Sequence, residues 1–62
     1  MSMYDQLPKD PVMLLSFTNT QLRDTFESLD AFCFNFQVKK EDLVEKLKTI
    51  DYEYDPKTNQ FT

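Results

Sequence analysis

Apolar residues recur along most of this chain at helical spacing. Leu14, Leu15, Phe17, Leu22 and Phe26 mark one face of a helix, because residues three and four apart share a side. Asp10-Pro11 stands at its start. An Asp at the N-cap accepts hydrogen bonds from free backbone N–H groups, and a Pro at the first helical position loses no bond it needed. The spacing predicts a helix over 11–27. Thr18-Asn19-Thr20 is weak helix sequence, since two β-branched residues flank an Asn. It reads as a polar patch in one helix or as a break between two, and we take one helix.

Leu29, Phe32, Cys33 and Phe36 repeat the pattern after Ser28. Ser28 can cap a second helix, with Asp30 in its first turn to complement the dipole. Phe32, Phe34, Phe36 and Val38 also alternate strictly, as a strand would. The Ser28 cap and the helical segments on either side favour helix. That choice leaves Phe34 off the core face and exposed. A turn near Gln37-Val38 leads to a third helix over about 39–50, with Leu43, Val44, Leu47 and Ile50 as its stripe. Lys39 is a poor cap, because it supplies no acceptor oxygen. Asp51, at the far boundary, is among the few non-glycine residues that tolerate the left-handed conformation a helix end needs.

The last eleven or so positions predict a β-hairpin over 52–62. Tyr52-Glu53-Tyr54 alternates, Asp55-Pro56-Lys57-Thr58 suits a type I turn, and Asn59 can close the loop in the left-handed region. The return strand Gln60-Phe61-Thr62 is so short that it must pack on the helices. The order is helix, helix, turn, helix, hairpin. The expected fold is therefore mostly α, a three-helix, helix-turn-helix-like domain with a short C-terminal hairpin, like a miniature winged helix. Residues 1–9 read as an extended lead-in and residues 10–62 as one domain. Tyr52 or Tyr54, with Phe61, would close one end of the core.

A set of these residues carries a family resemblance. It comprises Leu7-Pro8-Lys9-Asp10-Pro11-Val12-Met13-Leu14-Leu15-Ser16-Phe17, Asn19-Thr20, Leu22-Arg23-Asp24, Ser28-Leu29-Asp30, Cys33, Leu43, Glu45-Lys46-Leu47, and Asp51-Tyr52-Glu53-Tyr54-Asp55 with Asn59-Gln60-Phe61. Over about residues 7–62 the chain resembles a family of small bacterial proteins known as domain of unknown function 4250. The Lys-Asp-Pro start and the Tyr-x-Tyr…Asn-x-Phe end are its most specific parts. The resemblance implies a small bacterial protein and implies no activity. Phe34 departs from the pattern, where a polar or acidic residue would be expected.

Composition then removes function classes. The 62 residues include no glycine and no histidine. Without glycine there is no phosphate-cradling loop and no dinucleotide fingerprint. Without histidine there is no Ser-His or Cys-His couple and no imidazole metal ligand. A chain this short is one small domain and buries only about 60% of its unfolded surface, so its core is barely sufficient. The lone Cys33 cannot form an internal disulfide and fits a reducing cytoplasm. The start Met1-Ser2-Met3-Tyr4-Asp5 lacks the basic beginning of a signal peptide. The longest apolar run, Val12-Met13-Leu14-Leu15, is far short of the roughly 20 residues a membrane span needs. A cytoplasmic protein with no membrane role is expected.

The candidate chemistries are few. Lys39, Lys40, Lys46, Lys48 and Lys57 are the residues a nucleic-acid reading would use. The net charge of −4 and the pI near 4.5 oppose it. So does the polar face of the third helix, Glu41, Asp42, Glu45, Lys48 and Thr49, which has no Arg, Asn or Gln for base contacts. An Asp42–Lys46 pair fits a solvated face better. Asp51-x-Glu53-x-Asp55 looks like the start of a calcium loop, but Pro56 and Thr62 stand where that loop needs Gly and an acid. Alternation with Tyr52 and Tyr54 says strand instead. Glu41 and Glu45 could share a helix face as a carboxylate pair, though both are expected in solvent. Cys33, beside Phe32 and Phe36, reads as a core thiol. No enzyme, metal or cofactor is expected. Asn19 and Arg23 would bond to backbone or to lead-in carboxylates such as Asp5.

What remains is an aromatic surplus. Aromatic residues make up 15% of the chain, six of them Phe and three Tyr, and each buries roughly 150–250 Å² when covered. Some must be exposed or meet a partner, which points to a protein–protein interaction module. Phe34 is the first candidate contact, followed by Tyr4 and by Phe61 on the hairpin edge. Self-association is the economical form, because small cores often gain stability by oligomerising. The runner-up is a degenerate helix-turn-helix nucleic-acid binder.

Overall fold

The computed structural model describes residues 7–62. Helix α1 spans Pro11–Asp24, α2 Leu29–Phe36 and α3 Lys40–Lys48, followed by β1 at Tyr54–Asp55 and β2 at Gln60–Phe61. The chain is thus mostly α with a small antiparallel hairpin, in the expected order. Asp10 caps α1 by accepting from the Met13 N–H at 3.1 Å, and Ser28 caps α2 by accepting from the Ala31 N–H at 3.2 Å. Lys39 gives α3 no side-chain cap. Each of the first two caps satisfies a helix donor that otherwise has no partner.

Helix α1 is one helix, but it ends at Asp24 and not at residue 27. Thr25 leaves the helical region at φ −123°, ψ −44°. The N–H groups of Thr25 and Phe26 both donate to the Gln21 carbonyl, at 2.8 and 2.9 Å. Phe26 then turns into an aromatic cluster, its ring edge-on to Phe32 with centroids 5.7 Å apart. Its periodic position in the sequence came from core packing, which continues after the helix has stopped.

Helices α2 and α3 both end in the same way. The Val38 N–H reaches back to the Cys33 carbonyl and the Gln37 N–H to the Phe34 carbonyl, at 3.0 and 3.3 Å. At α3 the Tyr52 N–H bonds the Leu47 carbonyl at 3.1 Å and the Asp51 N–H the Lys48 carbonyl at 2.9 Å. These are two Schellman closures, each needing a left-handed residue after the helix. Gln37 and Asp51 supply it, with φ of 56° and 65°. Asn59 is the third such residue, at φ 55°. Asp51 and Asn59 were expected from the turn chemistry. Gln37 was not.

The core contains Leu7, Leu14, Leu22, Leu29, Phe32, Cys33, Val38, Leu43, Leu47 and Phe61, with Tyr54 packed against it. Leu7 shows that the lead-in contributes to the core, which its extended reading did not include. Tyr54 and Phe61 close one end as register partners, with centroids 5.5 Å apart, whereas Tyr52 is exposed. Thr18 is also fully buried, and its hydroxyl has no hydrogen-bond partner among the described residues.

Two asparagines attach the hairpin to the helices. The Asn19 side chain accepts from the Phe61 N–H at 2.8 Å and donates to the Phe61 carbonyl at 3.1 Å. The Asn59 Nδ2 donates to the Leu22 and Phe26 carbonyls at 2.9 and 3.0 Å, while its Oδ1 accepts from the Tyr54 hydroxyl at 2.6 Å. Leu22 lies in the last turn of α1, where carbonyls lack helical partners. Asn19 thus bonds to backbone, the first of its two expected partners, and that backbone belongs to the hairpin. Arg23 forks onto its neighbour Asp24, with two bonds of 3.0 Å in solvent. Asp5 lies outside the described residues.

Asn59→Gly keeps the left-handed backbone and deletes three side-chain bonds. It should lower stability by about 2–3 kcal/mol, read as a shift of the urea midpoint at constant slope. A loss under about 0.5 kcal/mol would mean that the bonds carry no net weight. Gln37→Gly should raise stability by about 0.5–1 kcal/mol, because a non-glycine residue strains the left-handed region. Asp51→Gly should gain less, since Asp tolerates that region better than Gln. The reverse order in the same titration would contradict the strain at Gln37.

Candidate functional site

Among the described residues Phe34 stands out from the other phenylalanines, because it packs neither in the core nor against another ring. Of the six, Phe32 and Phe61 are buried, and Phe17, Phe26 and Phe36 pack against the core. Phe34 is 87% exposed. The cause is local. Helix α2 turns Leu29, Phe32, Cys33 and Phe36 inward, so a residue two positions from both Phe32 and Phe36 must point away. Ala31, one turn earlier on the same side, is half-buried. Asp30 lies one turn before Phe34, and its carboxylate pairs with the Lys40 ammonium at 3.2 Å, both in solvent.

The other expected contact residues fare differently. Phe61 is only 2% exposed, so its side chain belongs to the core. Both outward backbone groups of Phe61 are occupied by Asn19, which also removes that strand edge as a contact. Tyr4 lies outside the described residues. Further exposure comes at Val12, Met13 and Tyr52. Val12 and Tyr52 border an open groove of about 410 Å³, with Asn19, Arg23 and Gln60 among its polar walls. The sequence pattern missed this groove, because it forms only where the hairpin meets α1.

A more closed apolar cavity of about 50 Å³ lies between the lead-in, α1 and α3, with Leu7, Leu14, Val38 and Leu43 as its walls. Small-molecule sites usually measure about 300–1,000 Å³, so this one is too small for a ligand of that class.

The lysines do not gather. Lys40 pairs with Asp30 and Lys48 approaches Glu53 at 3.9 Å. Lys46 lies beside the small cavity with Asp42, although among the described residues those two form no ion pair. Lys39 is exposed at the start of α3, and Lys57 is exposed in the hairpin turn, where its N–H donates to Asp55 at 2.9 Å. Glu41, Asp42 and Glu45 all face solvent on α3. Among the described residues no cluster of three His, Cys, Asp or Glu could hold a metal ion, and no helix is long and apolar enough to cross a membrane.

Cys33 is buried and free. Burial pushes its thiol up to about 11, with the Asp30 carboxylate adding to the shift and Lys40 opposing it. The thiolate needed for attack is scarce at neutral pH.

Residues 8–61 match a family model described as Domain of unknown function (DUF4250). No curated protein and no solved structure matches the chain.

A thiol reagent at pH 8 should label folded Cys33 at least about tenfold more slowly than the urea-unfolded chain, since labelling needs both thiolate and access. Equal rates would contradict its burial. The folded thiol titrates above its ordinary value of 9.0. Its contribution to stability is therefore complete below about pH 9 and lost as pH rises toward 11. Cys33→Ala, compared with the parent chain by urea titration across that range, should lack this part of the decline.

Proposed function

We propose that this chain, which belongs to the DUF4250 family, is a non-catalytic protein–protein interaction module of the bacterial cytoplasm, making contact through the α2 face centred on Phe34. One observation carries the reading. A chain with a small core packs five of its six phenylalanines and leaves the sixth 87% exposed on a regular helix. An exposed ring on a rigid helix suits an interface anchor, because aromatics dominate contact energies and lose little side-chain entropy. The charges beside it, Asp30 and Lys40, suit the polar rim that surrounds such anchors.

A helix-turn-helix nucleic-acid binder remains the alternative, on the order of the elements alone. Its difficulty is electrostatic. Two of the five lysines this reading would use, Lys40 and Lys48, face carboxylates, and the exposed side of α3 carries Glu41, Asp42 and Glu45. Binding a duplex requires a basic surface that displaces counterions from phosphates.

The test is affinity capture of the tagged chain from its own cells, with and without nuclease, beside a Phe34→Asp variant. The expected result is a protein partner that survives nuclease and whose recovery falls about tenfold or more in the variant, as loss of a central aromatic anchor should produce. Recovery of nucleic acid, or equal recovery by the variant, would overturn the reading.

A further inference from the structure

We infer that the Phe34 face closes on a second copy of this chain across a two-fold axis, an inference that rests on the interaction-module reading above. A two-fold interface must carry both halves of every contact on one patch, because each residue meets its counterpart's neighbours reciprocally. The α2 face meets that condition in shape and in charge. It presents one large exposed ring, Phe34, and one small half-buried residue, Ala31, three positions earlier on the same side. It also presents one acid and one base, Asp30 and Lys40, in contact at 3.2 Å with side chains 77% and 51% exposed.

An axis between Ala31 and Phe34 runs two α2 helices past each other in opposite directions. Each ring then sits over the partner's Ala31, where the missing side-chain volume leaves room for it. Asp30 lies within a turn of that axis, so each Lys40 can reach the partner's carboxylate as well as its own. The chain as a whole carries −4, which opposes the approach of two copies. This patch is locally neutral and escapes that repulsion. An unrelated partner would not need the patch to hold matched opposites.

The contact is one helix face and lies at the small end of interfaces, so association on the order of 10–100 µM is expected. Sedimentation equilibrium of the full chain from about 1 µM to 1 mM spans that range. The expected result is a monomer–dimer equilibrium that Phe34→Asp weakens at least about tenfold. Asp30→Lys and Lys40→Asp should each weaken it, and the double variant should recover it, with helical circular dichroism unchanged throughout. Ala31→Leu, which keeps helix propensity and fills the seat, should weaken dimerisation as Phe34→Asp does. A monomer at 1 mM overturns the inference, and so does a dimer indifferent to Phe34→Asp. A monomer whose capture of another protein still depends on Phe34 overturns the two-fold contact alone. Loss of Phe34 dependence in both assays overturns the interaction-module reading with it.

Discussion

The Asn19 side chain meets Phe61 as one strand meets another, donating to its carbonyl at 3.1 Å and accepting from its N–H at 2.8 Å. Most of the fold depends on this pairing. A hairpin whose strands are two residues long cannot stand alone in water. Register with Tyr54 occupies one side of β2, and Asn19 occupies the other. With its N–H and its carbonyl both satisfied by Asn19, Phe61 can sit in the core without stranding buried polar groups. Asn59 extends the attachment to the end of α1. Through the Tyr54 hydroxyl, which accepts from the Leu29 N–H at 3.4 Å, the chain of bonds reaches the start of α2. The interhelical corner, the hairpin and two helix ends are thereby one connected polar network around an apolar core.

The lack of glycine shapes the remainder. Both Schellman closures place non-glycine residues in the left-handed region, and the hairpin adds a third. Asn and Asp reach that region at modest cost, because their short side chains can bond locally. Gln37 has no such compensation. Its conformation is imposed by Val38, which must enter the core immediately after α2 ends. Tertiary packing thus overrides local preference at this position.

Local signals made much of the architecture legible. The caps at Asp10 and Ser28 marked helix starts, and helical spacing outweighed the Phe32-Phe34-Phe36 alternation because residues before and after it were also helical. That choice correctly turned Phe34 outward. Position 61 was harder. Its apolar character and its place on a strand suited a core residue and an edge contact equally, and only the Asn19 bonds decide between them. Those bonds span 42 residues and leave no period in the sequence. The same is true of the groove between α1 and the hairpin, of Gln37, and of the helix end at Asp24. Each is set by what the chain meets in three dimensions. In the same way, the lysines that look like a basic set in sequence become separate surface charges once Lys40 turns to Asp30 and Lys48 to Glu53.

The central claim is that side-chain amides, acting as a strand edge, hold the hairpin in place. The Phe61 amide reports on it directly, because its N–H donates to Asn19 Oδ1 and to no backbone group. Native-state hydrogen exchange followed by NMR measures how often that bond opens. If the account holds, the Phe61 N–H exchanges as slowly as the amide of Leu22 in the buried face of α1, by global unfolding. Exchange of Phe61 near the rate of an open loop, with Leu22 still protected, would contradict it.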